Sequence, residues 1–390
     1  MTTPTLKPIT IKSYTLNSIA ESLGGTVIGD GNLTVNRLVH PKDAKSDQDI
    51  LLAFDKNLHP HLESTPACAV VLAVGQEEFA KKFITELTTK SGQKKGGAVL
   101  VERPRYAMAK LTTLFARPDF SLRSVHPTAA VDATAKIGSN VAIGPLCYVG
   151  PYAEVGDNTT LISQVTLGAH SSIGKDCLIH AGVRVGDYVQ VGDRAIFHYN
   201  CVIGSDGFSF VTPERGSVET AKSGTSSTVE AFNNEIIRIH SLGAIIIGDD
   251  VEIGSCTTID RGTITDTRIG SGTKIDNQVQ IGHNVEIGEN CLICGTAGIA
   301  GSTTIGNRVV LAARAGVADH LKVGDDAVLM ASSQLGTNLP EKAIYMGFPA
   351  MPRERFMEQM IHLARLKNMS KRIGGLEEKV NNLESVNKKS

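Results

Sequence analysis

From Val131 onward the hydrophobic positions follow neither the 3.6-residue spacing of an amphipathic helix nor the two-residue alternation of a half-buried strand. They recur every six residues. Val131, Ile137, Ile143, Val149, Val155, Leu161, Leu167, Ile173, Ile179, Val185, Val191, Phe197 and Ile203 make twelve unbroken steps, and Gly follows nine of the thirteen. A residue without a Cβ beside each buried one suits a chain that turns sharply at every sixth position. The pattern predicts a mainly β architecture, a parallel β-helix with three short strands per coil. Eighteen residues then complete one turn, and coils stack at about 4.8 Å. Residues 18 apart lie one above the other.

The beat fails over about 207–244, a stretch rich in Ser, Thr, Glu and Gly that reads as an insertion projecting from the prism, with a mobile middle at 212–230. Phe208 and Phe210 are placed to cover a neighbouring groove. The beat restarts at Ile247, Ile253 and Ile259, slips once to Ile269, and holds through Ile275, Ile281, Ile287, Ile293, Ile299, Ile305, Leu311, Val317, Val323 and Leu329. About eight coils are expected, a prism roughly 40 Å tall.

The flanks are patterned differently. Leu16, Ile19 and Leu23 sit at helical spacing before Gly24-Gly25, two short strands are expected in TVIGDGNLTVNRLV, and the apolar runs 67–74 and 97–102 read as buried strands followed by helices at 76–90 and 104–117. Residues 1–120 therefore form an N-terminal α/β domain and 121–345 the β-helix. After Pro349, Leu366, Met369, Ile373, Leu376, Val380 and Leu383 alternate spacings of three and four, so 346–390 reads as a C-terminal α-helix with a coiled-coil seam. Gly374-Gly375 weakens that helix by roughly 1 kcal/mol each, so association rests on the prism as well. A three-sided prism followed by a seam predicts a homotrimer.

Composition narrows the partners. Lys plus Arg number 39 against 40 Asp plus Glu, so no global basic field argues for nucleic acid. Seven cysteines, odd in number and spread through the repeats, argue against a disulfide framework. Cys291 and Cys294 form a CxxC, but Ile293 on the beat between them makes them small filling side chains, and no metal site is expected. No run of eighteen apolar residues exists, so no integral membrane segment is expected and the protein is read as cytoplasmic.

Register turns the repeat into a ruler for chemistry. His180 and His198 are 18 apart and stack on adjacent coils, a pair without the third ligand a metal would need. His283 lies two residues after the inward Ile281, on the outer wall between Gly282 and Asn284. Gly301 is 18 further on, so a bare backbone N–H stands about 5 Å from it. A base beside an N–H donor suits acyl transfer. His320 is 36 beyond Asn284, about 10 Å along the same wall, suited to holding another part of an extended substrate. Asp276, seven before His283, is a candidate to orient the imidazole or to bond a sugar hydroxyl.

VIGSDGFSF (202–210), IIIGDDVEIGSCTTIDRGTI (245–264), KIDNQVQIGHNVEIG (274–288) and MSKRIGGLEEKV (369–380) resemble the UDP-3-O-(3-hydroxyacyl)glucosamine N-acyltransferases of lipid A biosynthesis, over most of the chain. The resemblance implies a left hand for the β-helix, a uridine-nucleotide-binding leading domain and active sites in the grooves between prisms. It also implies transfer of a 3-hydroxyacyl group from acyl carrier protein to the 2-amine of UDP-3-O-acylglucosamine. His283 matches the general base, Gly301 would supply the oxyanion donor, and His320, Asp276, Asn277 and Phe208 would contact substrate. The donor is a phosphopantetheine thioester, already activated, so no further cofactor is implied. In the loop at 51–62, Leu58 stands where the family has Tyr, which leaves Phe54 as the candidate to stack uracil. Arg353, Arg355, Arg365, Lys367, Lys371 and Arg372 offer a basic surface for the acidic carrier protein. Two other readings fit the repeat itself: an acetyl-CoA-dependent sugar-nucleotide acetyltransferase, and a non-enzymatic trimeric scaffold that binds a sugar nucleotide.

Overall fold

The computed structural model describes residues 12–91, 95–116, 123–223, 228–229, 234–347 and 350–387, and the chain divides into units of 1–120 and 121–390. In the first unit, five strands are ordered Thr26–Gly29, Gly97–Val101, Ala69–Ala73, Asp49–Leu52 and Arg37–Val39. The first pair is antiparallel and the rest are parallel. Both faces are covered. Ala69 and Val71 pack with Leu16, Ile19 and Leu111 on one side, and Val70 and Leu72 pack with Ala80 and Phe83 on the other. That is why the central strands read as unbroken apolar runs.

Helix Leu16–Leu23 begins at Thr15, whose hydroxyl accepts from Ser18 N–H, and ends at Gly24 with φ 64°. Helices Glu77–Ser91 and Pro104–Leu114 follow the two apolar strands. The stretch expected to hold two short strands holds three, because Thr34–Val35 pairs back to Tyr14–Thr15. The edge is fixed by a buried charge. Asp49, 0% exposed, accepts both Arg37 Nε and Nη2 at 2.7 Å and the N–H groups of Lys45 and Ser46. The Arg37 bonds hold its carboxyl below the usual range, reinforced by the two backbone donors against the opposing effect of burial.

The second unit is a mainly β structure, a parallel β-helix of three sheets with ten, ten and nine strands. The prism is taller than the expected eight coils, because strands Gln334–Leu335 and Ile344–Tyr345 continue it past the last clear beat. Ladder partners are 18 apart wherever the repeat is regular, as in Val149↔Leu167 and Ile281↔Ile299. The beat residues from Ile143 to Leu335 form one continuous buried core. Each fully buried Ile or Leu contributes about 2 kcal/mol relative to exposure.

Corners carry the cost and the compensation of this winding. Residues such as Asn284, Ser302 and His320 sit at φ 58° to 59°, a left-handed conformation costing roughly 1 kcal/mol apiece in a non-glycine residue. Corner carboxylates and amides offset it by accepting N–H groups from the preceding coil. Ser139 N donates to Asp157, Lys175 N to Asp193, Asp193 N to Asp249, Glu289 N to Asn307 and Asn307 N to Asp325, all at 2.7–2.9 Å. Buried threonines repeat the device inside. Thr159, Thr257 and Thr273 each donate to a carbonyl and accept the N–H of Cys177, Val279 and Cys291 respectively. Burial raises the thiols of Cys177 and Cys201 to about 11 and about 12, as expected of filling side chains.

The repeat is broken twice, at one corner. After strand Val202–Asp206 the chain leaves the prism, pairs Phe210–Val211 with Ile237–Arg238 antiparallel, and returns at Ile245. The neck is closed by Gly207 N donating to the buried Ser241 Oγ at 3.0 Å. Within the stretch expected to be mobile lies helix Ser217–Ser223, started by Glu219 accepting from Gly216 N; residues 224–227 and 230–233 lie outside those described. The second break is the slip between Ile259 and Ile269. Four added residues change the ladder spacing from 18 to 22, as in Ile259↔Ile281. At the C-terminus, Arg353–Asn387 forms one helix through Gly374-Gly375, with Leu366, Met369, Ile373, Leu376 and Val380 exposed along the expected seam. The Leu383 side chain lies outside those described. No helix among the described residues is long and apolar enough to cross a membrane.

Candidate active site

The two breaks in the repeat surround His283. A cleft of about 570 Å³ at that corner is lined by Asp206, Phe208, Asp260, Gln280, His283 and Gly301 among others. The ladders explain the assembly. Asp206 pairs with Arg261, Thr258 with Gln280, and Ile259 with Ile281, so Asp260 and Gly282 follow equivalent positions on consecutive coils. His283 follows Gly282 on the second of these coils, and Gly301 lies on the next.

The imidazole is half-buried between two glycines. A Cβ on Gly207 would stand 2.6 Å from His283 Cβ, and one on Gly301 would stand 2.8 Å from Nε2. Either side chain would displace the ring, so only backbone fits on both sides. Nδ1 faces Asn284 Oδ1 at 3.0 Å and Thr263 Oγ1 at 3.4 Å. Asn284 is itself fixed: its Oδ1 accepts from Thr263 N, and its Nδ2 donates to Thr265 O and Oγ1 at 2.9 Å. With the amide oxygen turned to Nδ1, the ring proton belongs on Nδ1, and Nε2 keeps its lone pair beside Gly301. Among the described residues, Gly301 N–H donates to no protein group, while its carbonyl accepts His320 N at 3.2 Å and Ser302 N reaches His283 O at 2.9 Å. The one-coil offset read from the sequence is therefore met by direct contact.

Other expected residues fall elsewhere. His320 continues the same corner, 73% exposed at its side chain and outside the lining of the cleft. Phe208, 87% exposed, stands at the mouth, edge-on to Phe210 at 5.0 Å. Asp276 does not orient His283. Its Oδ1 accepts from Asn277 N at 2.7 Å and its Oδ2 from Gly295 N at 2.9 Å. Seven residues in a three-sided coil carry the chain to another side, and Asp276 and Asn277 line a second cleft of about 550 Å³ with His198, Tyr199, Glu252 and Lys274. Orientation of the His283 ring falls to Asn284.

His180 and His198 do stack, at 5.1 Å and 9°, and His198 Nε2 meets Glu252 Oε1 at 2.8 Å. No group of three metal-ligating side chains is assembled among the described residues. In the N-terminal unit, Phe54 packs half-buried against the core under helix Leu16–Leu23, and its carbonyl accepts from Gln76 Nε2. The ring stacking in that loop is His59 on Phe79, at 3.6 Å.

Sequence reasoning missed Asp260, Gln280 and Gly207. TTIDRG was recognisable as a motif, but which of its side chains enters the cleft depends on the four-residue slip, and the sequence marks only that a slip occurs.

A β-helix with a half-buried histidine set beside a bare backbone donor defines a hexapeptide-repeat transferase. The bacterial transferase hexapeptide family (six repeats) matches residues 266–301, and the family of the GMPPB C-terminal domain matches 122–210. The chain belongs to the UDP-3-O-acylglucosamine N-acyltransferase family. It is 39% identical to the UDP-3-O-acylglucosamine N-acyltransferase of Paraburkholderia phymatum over 369 residues, 94% of this chain and 97% of that one. The enzyme of the same name from Coxiella burnetii is 31% identical over 366 residues, with the same coverage, and that from Ruegeria pomeroyi is 39% identical over 287 residues, 74% of this chain and 76% of that one.

Proposed function

We propose that the protein transfers a 3-hydroxyacyl group from the phosphopantetheine thioester of acyl carrier protein to the 2-amine of UDP-3-O-acylglucosamine, in lipid A biosynthesis. The observation that carries this reading is the pairing of His283 Nε2, its lone pair left free by the Asn284 bond to Nδ1, with the unspent N–H of Gly301. The amine lone pair attacks the thioester carbon, and the developing oxyanion takes the Gly301 N–H, a donor worth on the order of 3 kcal/mol when well placed. Nε2 accepts the amine proton as the C–N bond forms and returns it to sulfur as the C–S bond breaks. An imidazole has one nitrogen that accepts a proton and can give it back, so one side chain serves both transfers.

Three further parts belong to the proposal. The protein works as a homotrimer, supported by the exposed helix seam and by two clefts on different sides of one prism. In such an assembly the cleft with Asp276 and Asn277 of one copy faces the His283 cleft of the next, and those two residues, with His320 and Phe208, hold substrate. Phe54 and its loop take the uridine end. Exposed Arg353, Arg355, Arg365, Lys367, Lys371 and Arg372 dock the carrier protein, and the reaction is cytoplasmic.

The test is mass-spectrometric detection of the product from UDP-3-O-acylglucosamine with acyl carrier protein or acetyl-CoA as donor. UDP-2,3-diacylglucosamine formed only with the carrier-protein thioester is expected. An acetylated product formed with acetyl-CoA alone would overturn the proposal.

A further inference from the structure

The His283 cleft contains two carboxylates, and their surroundings differ. Asp206 is matched by cations, with Arg238 at 3.8 Å and Arg261 Nε at 4.0 Å, and Arg238 is itself laid over the Phe210 ring at 4.9 Å. Asp260 makes no ion pair with Arg or Lys among the described residues, yet it is half-buried in the cleft wall, one coil from His283. Among the described residues its one side-chain donor is Gln280, whose Nε2 reaches Asp260 Oδ2 at 3.2 Å. Gln280 is turned that way because Thr258 Oγ1 donates to its Oε1, leaving the amide nitrogen for Asp260. The wall therefore aims a carboxylate into the cleft while the arginine that lines it, Arg238, is turned to Asp206.

A half-dry carboxylate without a cation is costly unless a ligand brings the charge. Resting on the reading above, the acceptor brings one, since a primary amine is an ammonium at neutral pH. We infer that Asp260, aimed by Gln280, receives the acceptor's amino group as its ammonium form and takes its first proton, and that this contact selects an amine over a hydroxyl. Asp260 COO⁻ and R–NH₃⁺ become Asp260 COOH and R–NH₂. The freed lone pair attacks the thioester, His283 takes the second proton and delivers it to the departing sulfur, and Asp260 returns its own proton to solvent as the amide leaves. The groups around Asp260 fit the role. Burial pushes its carboxyl up to about 6, Gln280 and His283 oppose that rise, and Asp206 adds to it. Arg261 and Arg238 are turned to Asp206.

The experiment compares full-length wild type, Asp260→Asn and Asp260→Glu, using UDP-3-O-acylglucosamine and its 2-hydroxy counterpart, UDP-3-O-acylglucose. Calorimetric Kd without donor, and kcat/KM with the acyl carrier protein thioester between pH 6 and 9, are measured. Asp260→Asn is expected to weaken amine binding at pH 7 at least thirtyfold and leave hydroxyl-analogue binding within threefold. Its kcat/KM defect should be about a hundredfold at pH 7 and under tenfold at pH 9, where the amine is already neutral, with Asp260→Glu recovering part of it. An equal loss for both acceptors, a loss independent of pH, or no loss in a folded variant would overturn the inference. If wild type binds and acylates neither acceptor, it is the proposed function that has failed.

Discussion

The coils from Ala130 to Ile203 and the corner between Asp206 and Asn284 are built from one repeat and have opposite uses for it. In the first region every ladder step is 18 residues, the beat residues lie in or against one core, and corner aspartates such as Asp157 and Asp193 are spent on the N–H groups of the preceding coil. In the second, the chain leaves the prism after Asp206 and lengthens a coil to 22 residues, and there the side chains turn to a cleft. Regularity carries stability and its interruption carries chemistry. Where the coils are unbroken, corner carboxylates such as Asp157 and Asp193 are already used by backbone N–H groups.

The sharpest way to break that comparison is to put matched lesions in the two regions. Gly301→Ala places a Cβ 2.8 Å from His283 Nε2, so kcat should fall about a hundredfold while the melting temperature moves by only a degree or two. Ile173→Ala in the regular coils should do the reverse. It removes a fully enclosed side chain at a cost of about 3 kcal/mol in chemical denaturation and leaves kcat of the folded fraction unchanged. Equal activity losses in the two variants would erase the distinction between the regions.

A smaller effect concerns pH. Burial lifts the Asp260 carboxyl to about 6, above its ordinary 3.8, so its proton is held more tightly in the folded state. The stability this confers is complete below about pH 4 and is lost as pH rises through about 6. Relative to Asp260→Asn, wild type should therefore lose on the order of 1 kcal/mol between pH 4.5 and 7.5, read as the difference between the two melting curves. Asp157 in the regular coils has the opposite sign. The bonds from Ser139 hold its carboxyl below the usual range, so its contribution is present at neutral pH and lost as acid is added.

Much of this was legible in the chain. The six-residue beat is a direct consequence of three-strand coils, and it placed Gly301 beside His283 because 18 residues separate them along a regular stretch. The same beat could not place Asp276, which lies seven residues away along the chain but around a corner of the prism. Nor could it give Asp260 a partner, since Gln280 faces it only after the slip changes the spacing to 22. The strand Asp49–Leu52 was hidden for another reason: it is short, and its first residue is a buried carboxylate whose partner, Arg37, is distant in sequence. The helix Ser217–Ser223 carries almost no apolar spacing to announce it.

The central claim is that one imidazole, set between Gly207 and Gly301 and oriented by Asn284, takes the amine proton as the C–N bond forms and carries it to the departing sulfur. Single-turnover formation of UDP-2,3-diacylglucosamine by His283→Ala, in preparations melting at the wild-type temperature, tests it most directly. A rate at least a thousandfold below wild type is predicted. A rate within tenfold of wild type would contradict it.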